Sequence, residues 1–367
     1  MSVRVAIVGC GLIGRRRAAV AREAGDRVVI VADVDRQRAM ETAADHSCEW
    51  AVDWSTAVHR DDVDVVVVAT PNKFLAPVTT AAAGAGKHVL CEKPLGRNNA
   101  EARKMVSAAE SAAVILKTGF NHRHHPAVRR ARELCSEGVI GRLMYVRSVY
   151  GHGGRPGYDK EWRGNGELAG GGELLDQGVH IVDLCRWFLG DLREVVGFTG
   201  TYFWDLGGIG VGTGDSGDAP LDGPSESPVA RPAGRRRLED NAFAIMRTGD
   251  GRTAQFHTSW TQWRNRFSFE VFGSDGYLRI EGLGGSYGTE SLTIGRRRPE
   301  SGPPSEEVTQ FQGPDRSWHE EWEEFTAAVR EGRQPLADGR DGLAAMNVIA
   351  ALYESARTGR AVILRPD

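Results

Sequence analysis

A chain of 367 residues is long for a single hydrophobic core, so two domains are expected. With 41% hydrophobic and 26% charged residues the composition is that of an ordinary globular protein, which excludes a disordered or fibrous chain. The net charge of −3 supplies no overall basic field, so nucleic acid is not an expected partner.

The first 120 residues alternate short β-branched runs with Ala-rich stretches. Val3–Val8, Val28–Ala32, Val65–Ala69, Val89–Cys91 and Val114–Lys117 carry the continuous apolar pattern of strands covered on both faces. Residues 12–24, 35–45, 73–85 and 98–112 read as the helices between them, with Asn98 or Asn99 as the N-cap of the last. Such alternation predicts a doubly wound α/β domain of Rossmann type with a parallel sheet.

After Pro126 the texture changes. A helix over roughly 126–137 leads to an apolar run, Leu143–Tyr150, and then to a Gly-rich stretch, 151–173. The sequence LLDQGVHIVDLCRWFLG follows as a strong helix. From residue 194 the period becomes two, in EVVGFTGTYFW, NAFAIMRT, RTAQFHTSW, FSFEVFG and GYLRIEG, with hairpin turns at GDGR and GSDG. The second domain is therefore α+β, with a mostly antiparallel sheet. Residues 205–237 interrupt that sheet with a Gly/Pro/Ser/Asp-rich stretch, read as a mobile loop. In the helix near the end, Trp318, Trp322, Phe325 and Val329 share one face. The division of the chain is 1–122, 123–335 and a closing helix with its tail, 336–367.

No run of about 18 apolar residues exists to span a membrane. The opening VRVAIVGCG is too short and too Gly-flanked for a signal peptide. Five scattered cysteines without a CxxC pair fit a reducing compartment, so the expected location is cytoplasmic.

GCGLIG (9–14) closes the first strand and opens the first helix. Gly9 permits the tight turn, Gly11 lets the backbone approach a pyrophosphate, and Gly14 allows close helix–strand packing. The N–H groups at Leu12 and Ile13 and the helix dipole then face the phosphates. Asp33 ends the second strand, where a carboxylate accepts ribose hydroxyls and repels a 2′-phosphate, so NAD is expected. Arg36 and Arg38 keep NADP as the lesser option. Ligands of such a sheet lie beyond the carboxyl ends of its strands. ATPN (69–72), CEKP (91–94) and GFNHR (119–123) sit at that edge, which adds Thr70, Pro71, Asn72, Glu92 and Lys93 to the cofactor side.

Hydride transfer to or from an alcohol also moves a proton, so the site needs a base and a cation beside the developing alkoxide. Lys93 suits the cation. Asp176 and His180 are four apart on a largely apolar helix, which predicts a base at His180 and a carboxylate that either orients its ring or hydrogen-bonds the substrate, with Asp183 as the other candidate orienter. The run HRHH (His122, His124, His125) lacks an acidic neighbour in sequence, and no metal is expected. Trp260 and Trp263 read as subunit interface, and Arg15–Arg17 as a partly solvated helix face.

In order and spacing, GCGLIG, ATPN, GKHVLCEKPL, GFNHR and GGGELLDQGVHIVDL resemble the Gfo/Idh/MocA family, named for glucose–fructose oxidoreductase and inositol dehydrogenase. The resemblance covers almost the whole chain, and its EKP and DxGxH motifs are the specific ones. It implies a Rossmann domain followed by an α+β domain whose open-faced sheet mediates homodimers or homotetramers. It also implies closing helices that return to the first domain. Lys93 resembles the family's catalytic lysine, and Asp176 and His180 its proton-handling pair. Arg123 and the YDKEWR segment, with Tyr158, Trp162 and Arg163, resemble substrate-side positions. Where the family often reads TPNxxH, this chain has Leu75, so that histidine's contact is absent or replaced.

The function expected is an NAD-dependent oxidoreductase acting on a secondary-alcohol carbon of a sugar, sugar derivative or cyclic polyol. The alternative is a non-catalytic dinucleotide-sensing regulatory protein of the same fold.

Overall fold

The computed structural model describes residues 2–154, 157–204 and 238–365. The expected loop 205–237 lies outside them. The first unit carries β1 (Arg4–Val8), α1 (Leu12–Glu23), β2 (Arg27–Ala32), α2 (Arg36–His46), β3 (Glu49–Ala51) and α3 (Trp54–Val58). It continues through β4 (Val65–Val68), α4 (Asn72–Gly84), β5 (His88–Glu92), α5 (Asn99–Ser111) and β6 (Leu116–Gly119). All neighbouring strands are parallel in the order β3-β2-β1-β4-β5-β6. The order reverses beside β1, and there a crevice opens at the carboxyl ends. β4 is VVVV with every residue buried, as a strand covered on both faces must be. Asn98 is the N-cap of α5, accepting from the Glu101 N–H. β3 and α3 lie between the second and third of the five expected strands, and the sequence reading has neither.

The second unit begins with α6 (Pro126–Ser136) and β7 (Leu143–Gly151), then α7 (Gly166–Ala169) and α8 (Val179–Leu189). Its sheet adds β8 (Leu192–Gly200), β9 (Asn241–Thr248), β10 (Thr253–Ser259), β11 (Arg266–Gly273), β12 (Gly276–Glu281), β13 (Glu290–Arg296) and β14 (Ser305–Phe311). After α9 (Ser317–Glu331) and α10 (Gly339–Thr358) comes β15 (Val362–Ile363). The order is β14-β13-β12-β11-β7-β10-β9-β8-β15, antiparallel throughout except for the parallel β7–β10 pair. β9 alternates Ala242, Ala244 and Met246 inward with Phe243, Ile245 and Arg247 outward, so one face of the sheet is covered and the other open.

The divisions of the sequence need one correction. α9, inside the 123–335 division, packs on the first unit, as the resemblance implies for the closing helices: Trp322 and Phe325 are fully buried with Val5, Ile7 and Val65, and Trp322 Nε1 donates to Asp26 at 2.8 Å. Amphipathic spacing shows that a helix has a buried face but not which sheet receives it. α10 lies against α5 and β6 on one side and α8 and β8 on the other.

Candidate active site

The glycine turn is built for close approach. Gly9 has φ +96°, and a Cβ there would stand 2.5 Å from the Ala69 carbonyl oxygen. A Cβ on Gly14 would lie 1.7 Å from the Gly9 oxygen, whereas beside Gly11 nothing lies within 4 Å. Gly9 and Gly14 therefore close the turn, and Gly11 leaves an open cradle at the start of α1, whose first N–H groups no side chain caps. Leu12 stands 77% exposed beside it. Asp33 accepts from the Cys10 N–H at 2.7 Å and the Asp35 N–H at 2.9 Å, fixing its carboxylate next to that cradle. Arg38 leans toward it at 3.9 Å, and Arg36 lies over the Trp50 ring. The cradle, the uncapped helix start and the fixed carboxylate fit a dinucleotide.

Along the same edge, Asn72 donates to the Ala169 carbonyl at 2.8 Å and ties the two units together. Thr70 Oγ1 is buried without a partner, with Pro71 as the cap of α4. Glu92 turns to Arg17, which donates to it at 2.8 Å. Arg17 also meets Glu321 of α9 at 2.7 Å and has no exposed surface, with the Trp318 ring 4.4 Å from its guanidinium. This corrects the reading of Arg15–Arg17 as one solvated face: only Arg15, at Glu41, and Arg16 remain partly open. Gly119 fits tightly against the same cluster, since a Cβ there would lie 3.0 Å from Glu92 Oε2 and 3.2 Å from the Arg17 guanidinium.

Lys93 follows β5 directly. Its Nζ donates to the Asp176 backbone carbonyl at 2.6 Å and to Asp176 Oδ1 at 2.9 Å, while Arg163 donates to Oδ2 at 3.2 Å. Burial alone would raise the Asp176 carboxyl, but Lys93 and Arg163 outweigh it and hold it well below the usual carboxylate range. Asp176 sits in a wide π turn, Leu174–Gly178, that precedes α8. Such turns re-aim side chains within a helix. His180 is 4% exposed. Burial, then the charge of Lys93 and then His125, keep its imidazole well below the usual histidine range, so at neutral pH it is an unprotonated base.

Two expectations about orientation are corrected. Asp176 gives its carboxylate to two cations, not to His180, whose Nδ1 is buried without a hydrogen-bond partner. Asp183 is held by Arg123 at 2.6 and 2.9 Å, and Arg123 also reaches Asp341 of α10 at 2.9 Å. Arg123 is thus a buried strut, 3% exposed, with its guanidinium taken up by Asp183 and Asp341. Tyr158 is buried against Trp260, with ring centroids 5.0 Å apart, and Arg163 lies over the Trp162 ring at 4.5 Å. Trp260 has no exposed surface and so belongs to the core; Trp263 is 63% exposed. Leu75 is fully buried in the first core.

Three polar groups at the site escaped the sequence reading. Glu173, inside the GGGELLDQGVH run, is fully buried with both carboxyl oxygens unpartnered; burial, and then Asp176, push it well above the usual carboxylate range. Glu239 accepts from the Gly172 and Leu174 N–H groups, each at 3.1 Å, and from the Tyr353 hydroxyl of α10 at 2.7 Å. The available signal was a carboxylate within an apolar stretch. The three-glycine run has a physical reason too, since a Cβ on Gly171 would meet the Tyr353 hydroxyl at 2.4 Å and one on Gly172 the Glu239 backbone oxygen at 2.1 Å.

Residues 3–120 match an oxidoreductase family with an NAD-binding Rossmann fold, and residues 128–279 match the GFO/IDH/MocA C-terminal domain. The 1,5-anhydro-D-fructose reductase of Ensifer adhaerens is 30% identical over 363 residues, 98% of this chain and 97% of that protein. The levoglucosan dehydrogenase of Pseudarthrobacter phenanthrenivorans is 30% identical over 259 residues, 68% of this chain and 63% of that protein. A solved levoglucosan dehydrogenase in complex with NADH superposes with a TM-score of 0.84 over the whole of both chains, at 22% identity, a likeness of fold.

Proposed function

We propose that this chain, which belongs to the Gfo/Idh/MocA family of oxidoreductases, transfers a hydride between NAD and a secondary-alcohol carbon of a sugar, sugar derivative or cyclic polyol. The observation that carries the reading is the Lys93–Asp176 pair at the end of β5, near enough to His180 for the Lys93 charge to act on its imidazole, on the same carboxyl edge of the sheet as the glycine turn. Bound NAD supplies the hydride acceptor. His180 takes the substrate hydroxyl proton as general base. The Lys93 ammonium stabilises negative charge as it develops on the substrate oxygen, and Asp176 fixes that ammonium from behind. Arg163, held by Asp176 and lying over Trp162, offers a planar donor edge to a ring hydroxyl.

Asp33 favours NAD over NADP, because a fixed carboxylate repels a 2′-phosphate. The open sheet face is read as the contact with a second copy of the chain, giving a homodimer or homotetramer. Phe198 and Phe243 are cross-strand partners there, both exposed beside Ile245. Five free thiols support a cytoplasmic location, and no helix among the described residues is long and apolar enough to cross a membrane.

The test is a panel of sugars and polyols, including levoglucosan, myo-inositol and D-xylose, followed by NADH absorbance with a parallel NADP series. Reduction of NAD by at least one polyol is expected. Tight NADH binding with no turnover on any member would favour the dinucleotide-sensing alternative.

A further inference from the structure

His180 lacks the carboxylate that normally fixes a catalytic imidazole. Both acidic residues on its helical segment are engaged elsewhere, Asp176 by Lys93 and Arg163 and Asp183 by Arg123. What meets the ring instead is another imidazole. The His122 and His180 centroids are 3.9 Å apart with an interplanar angle of 32°. The other rings near His180 are farther and edge-on, Phe120 at 6.0 Å and Tyr150 at 6.3 Å.

We infer that His122 is the positioning residue of the catalytic base, holding the His180 ring by stacking where the sequence expects a carboxylate to hold it by hydrogen bonding. The inference rests on His180 being the base, as proposed above.

His122 is itself rigidly backed. Its Nδ1 meets Asn121 Oδ1 at 3.2 Å, and Asn121 is anchored to Ser317 of α9 at 3.0 Å. Tyr150, His125 and Phe267 enclose the ring at centroid distances of 5.2, 5.7 and 5.8 Å, and His125 is fixed by Glu290 at 3.0 Å. The charged and titratable groups around the pair are Lys93, His125 with Glu290, and Tyr150. Burial first, then His180, His125 and Lys93, hold His122 well below the usual histidine range. Both rings are therefore neutral at working pH and stack without repulsion. His122 Nε2 and His180 Nδ1 are each buried and bare, a cost that an apolar core would avoid. Toward His180, position 122 presents a ring face, with Nδ1 turned away to Asn121. This gives the HRHH run a role without a metal.

Two substitutions separate a flat face from a merely filled space. Leucine fills the volume but has no planar surface; phenylalanine keeps the surface and drops the nitrogens. For His122→Leu, kcat on the best polyol of the panel is expected to fall about 10- to 100-fold, because a displaced base loses its near-attack geometry. Its KM is expected to stay within about threefold and its NADH Kd, by fluorescence titration, to be unchanged. For His122→Phe, kcat within about threefold of the parent is expected. An unaltered kcat in folded His122→Leu overturns the inference, as does a loss in His122→Phe as deep as in His122→Leu. Imidazole 15N NMR reads the same question without turnover. A single sharp His180 ring environment is expected in the parent and in His122→Phe, and line broadening from exchange between ring orientations in His122→Leu; equally sharp signals in all three overturn the inference. If the parent itself reduces no NAD with any polyol, the hydride-transfer reading fails, and the NMR result still decides whether the ring is held by the stack.

Discussion

Lys93 binds Asp176 twice, through the backbone carbonyl at 2.6 Å and the carboxylate at 2.9 Å, so the amine of one unit is locked to the catalytic turn of the other. The amine's position depends on that grip as much as on the strand that carries it. Lys93→Met removes the charge while leaving the glycine cradle intact. We predict a loss in kcat of at least about 100-fold, the usual scale for removing one preorganised stabilising group. NADH binding, measured by fluorescence, should change by less than about threefold. Loss of binding in step with turnover would assign Lys93 to the cofactor alone.

Asp33 should set cofactor choice. Its carboxylate is fixed by two backbone N–H groups beside the cradle, with Arg38 nearby. Asp33→Ser takes away the repulsion felt by a 2′-phosphate and frees Arg38 to meet it. The ratio of kcat/KM for NAD over NADP is expected to fall at least about tenfold. An unmoved ratio would mean that selectivity lies elsewhere.

Arg17 is predicted to be a large contributor to stability. It has no exposed surface and pairs with Glu92 and Glu321 together. Arg17→Leu would take the cation from buried Glu92 and leave Glu321 only Lys117, at 3.7 Å, a change that costs about 3–5 kcal/mol. Urea denaturation followed by circular dichroism measures this, and a midpoint equal to the parent's would refute it.

Stability should depend on pH in two opposed windows. Burial, ahead of their charged neighbours, holds His122, His124 and His180 below the ordinary value of 6.5. The unfolded chain therefore takes up protons that the native one refuses, and stability falls as pH drops below 6.5. Glu239 acts the other way. Burial raises it from 4.5 to about 7 against its hydrogen bonds, so the native state keeps a proton that the unfolded chain releases. Stability is lost as pH rises from 4.5 to about 7. Glu239→Gln removes its share of that second window, to which the raised Glu173 also contributes, so parent-minus-variant stability should decline across it by up to about 3 kcal/mol. A flat difference between pH 4.5 and 8 would show that Glu239 ionises normally.

The open sheet face makes a prediction about assembly. Phe198, Phe243 and Ile245 are 64%, 37% and 55% exposed on adjacent strands. Ile245→Glu is expected to lower the mass seen by light scattering from an oligomer to a monomer while the fold is kept. A mass unaffected by the charge would place any contact between copies on another surface.

Much of the site was legible because its motifs end strands. GCGLIG, CEKP and GFNHR announce themselves by an apolar run that stops, and the edge rule for parallel sheets brings Lys93 to the glycine turn. What the sequence could not convey were pairings set by tertiary packing. Asp176 and His180 are one turn apart, yet the π turn and the arrival of Lys93 from 83 residues away decide where the carboxylate goes. Arg17 lies in an arginine run that looks solvated until α9 covers it with Glu321 and Trp318. β3 was missed because three residues, EWA, are too few for a period and sit at the sheet edge. His122 stacks on a residue 58 positions later, a relationship that no spacing encodes.

Tyr353 of α10 reaches through Glu239 to the turn that sets Asp176. The glycine cradle waits as well, because α9 supplies Trp322 and Phe325 to the core behind it and Glu321 to Arg17 of α1. On the ribosome, a nascent chain thus holds neither a finished cradle nor a braced catalytic turn until the residues beyond 317 have emerged. Competence to turn over substrate should arrive late, once residue 353 has left the exit tunnel and docked.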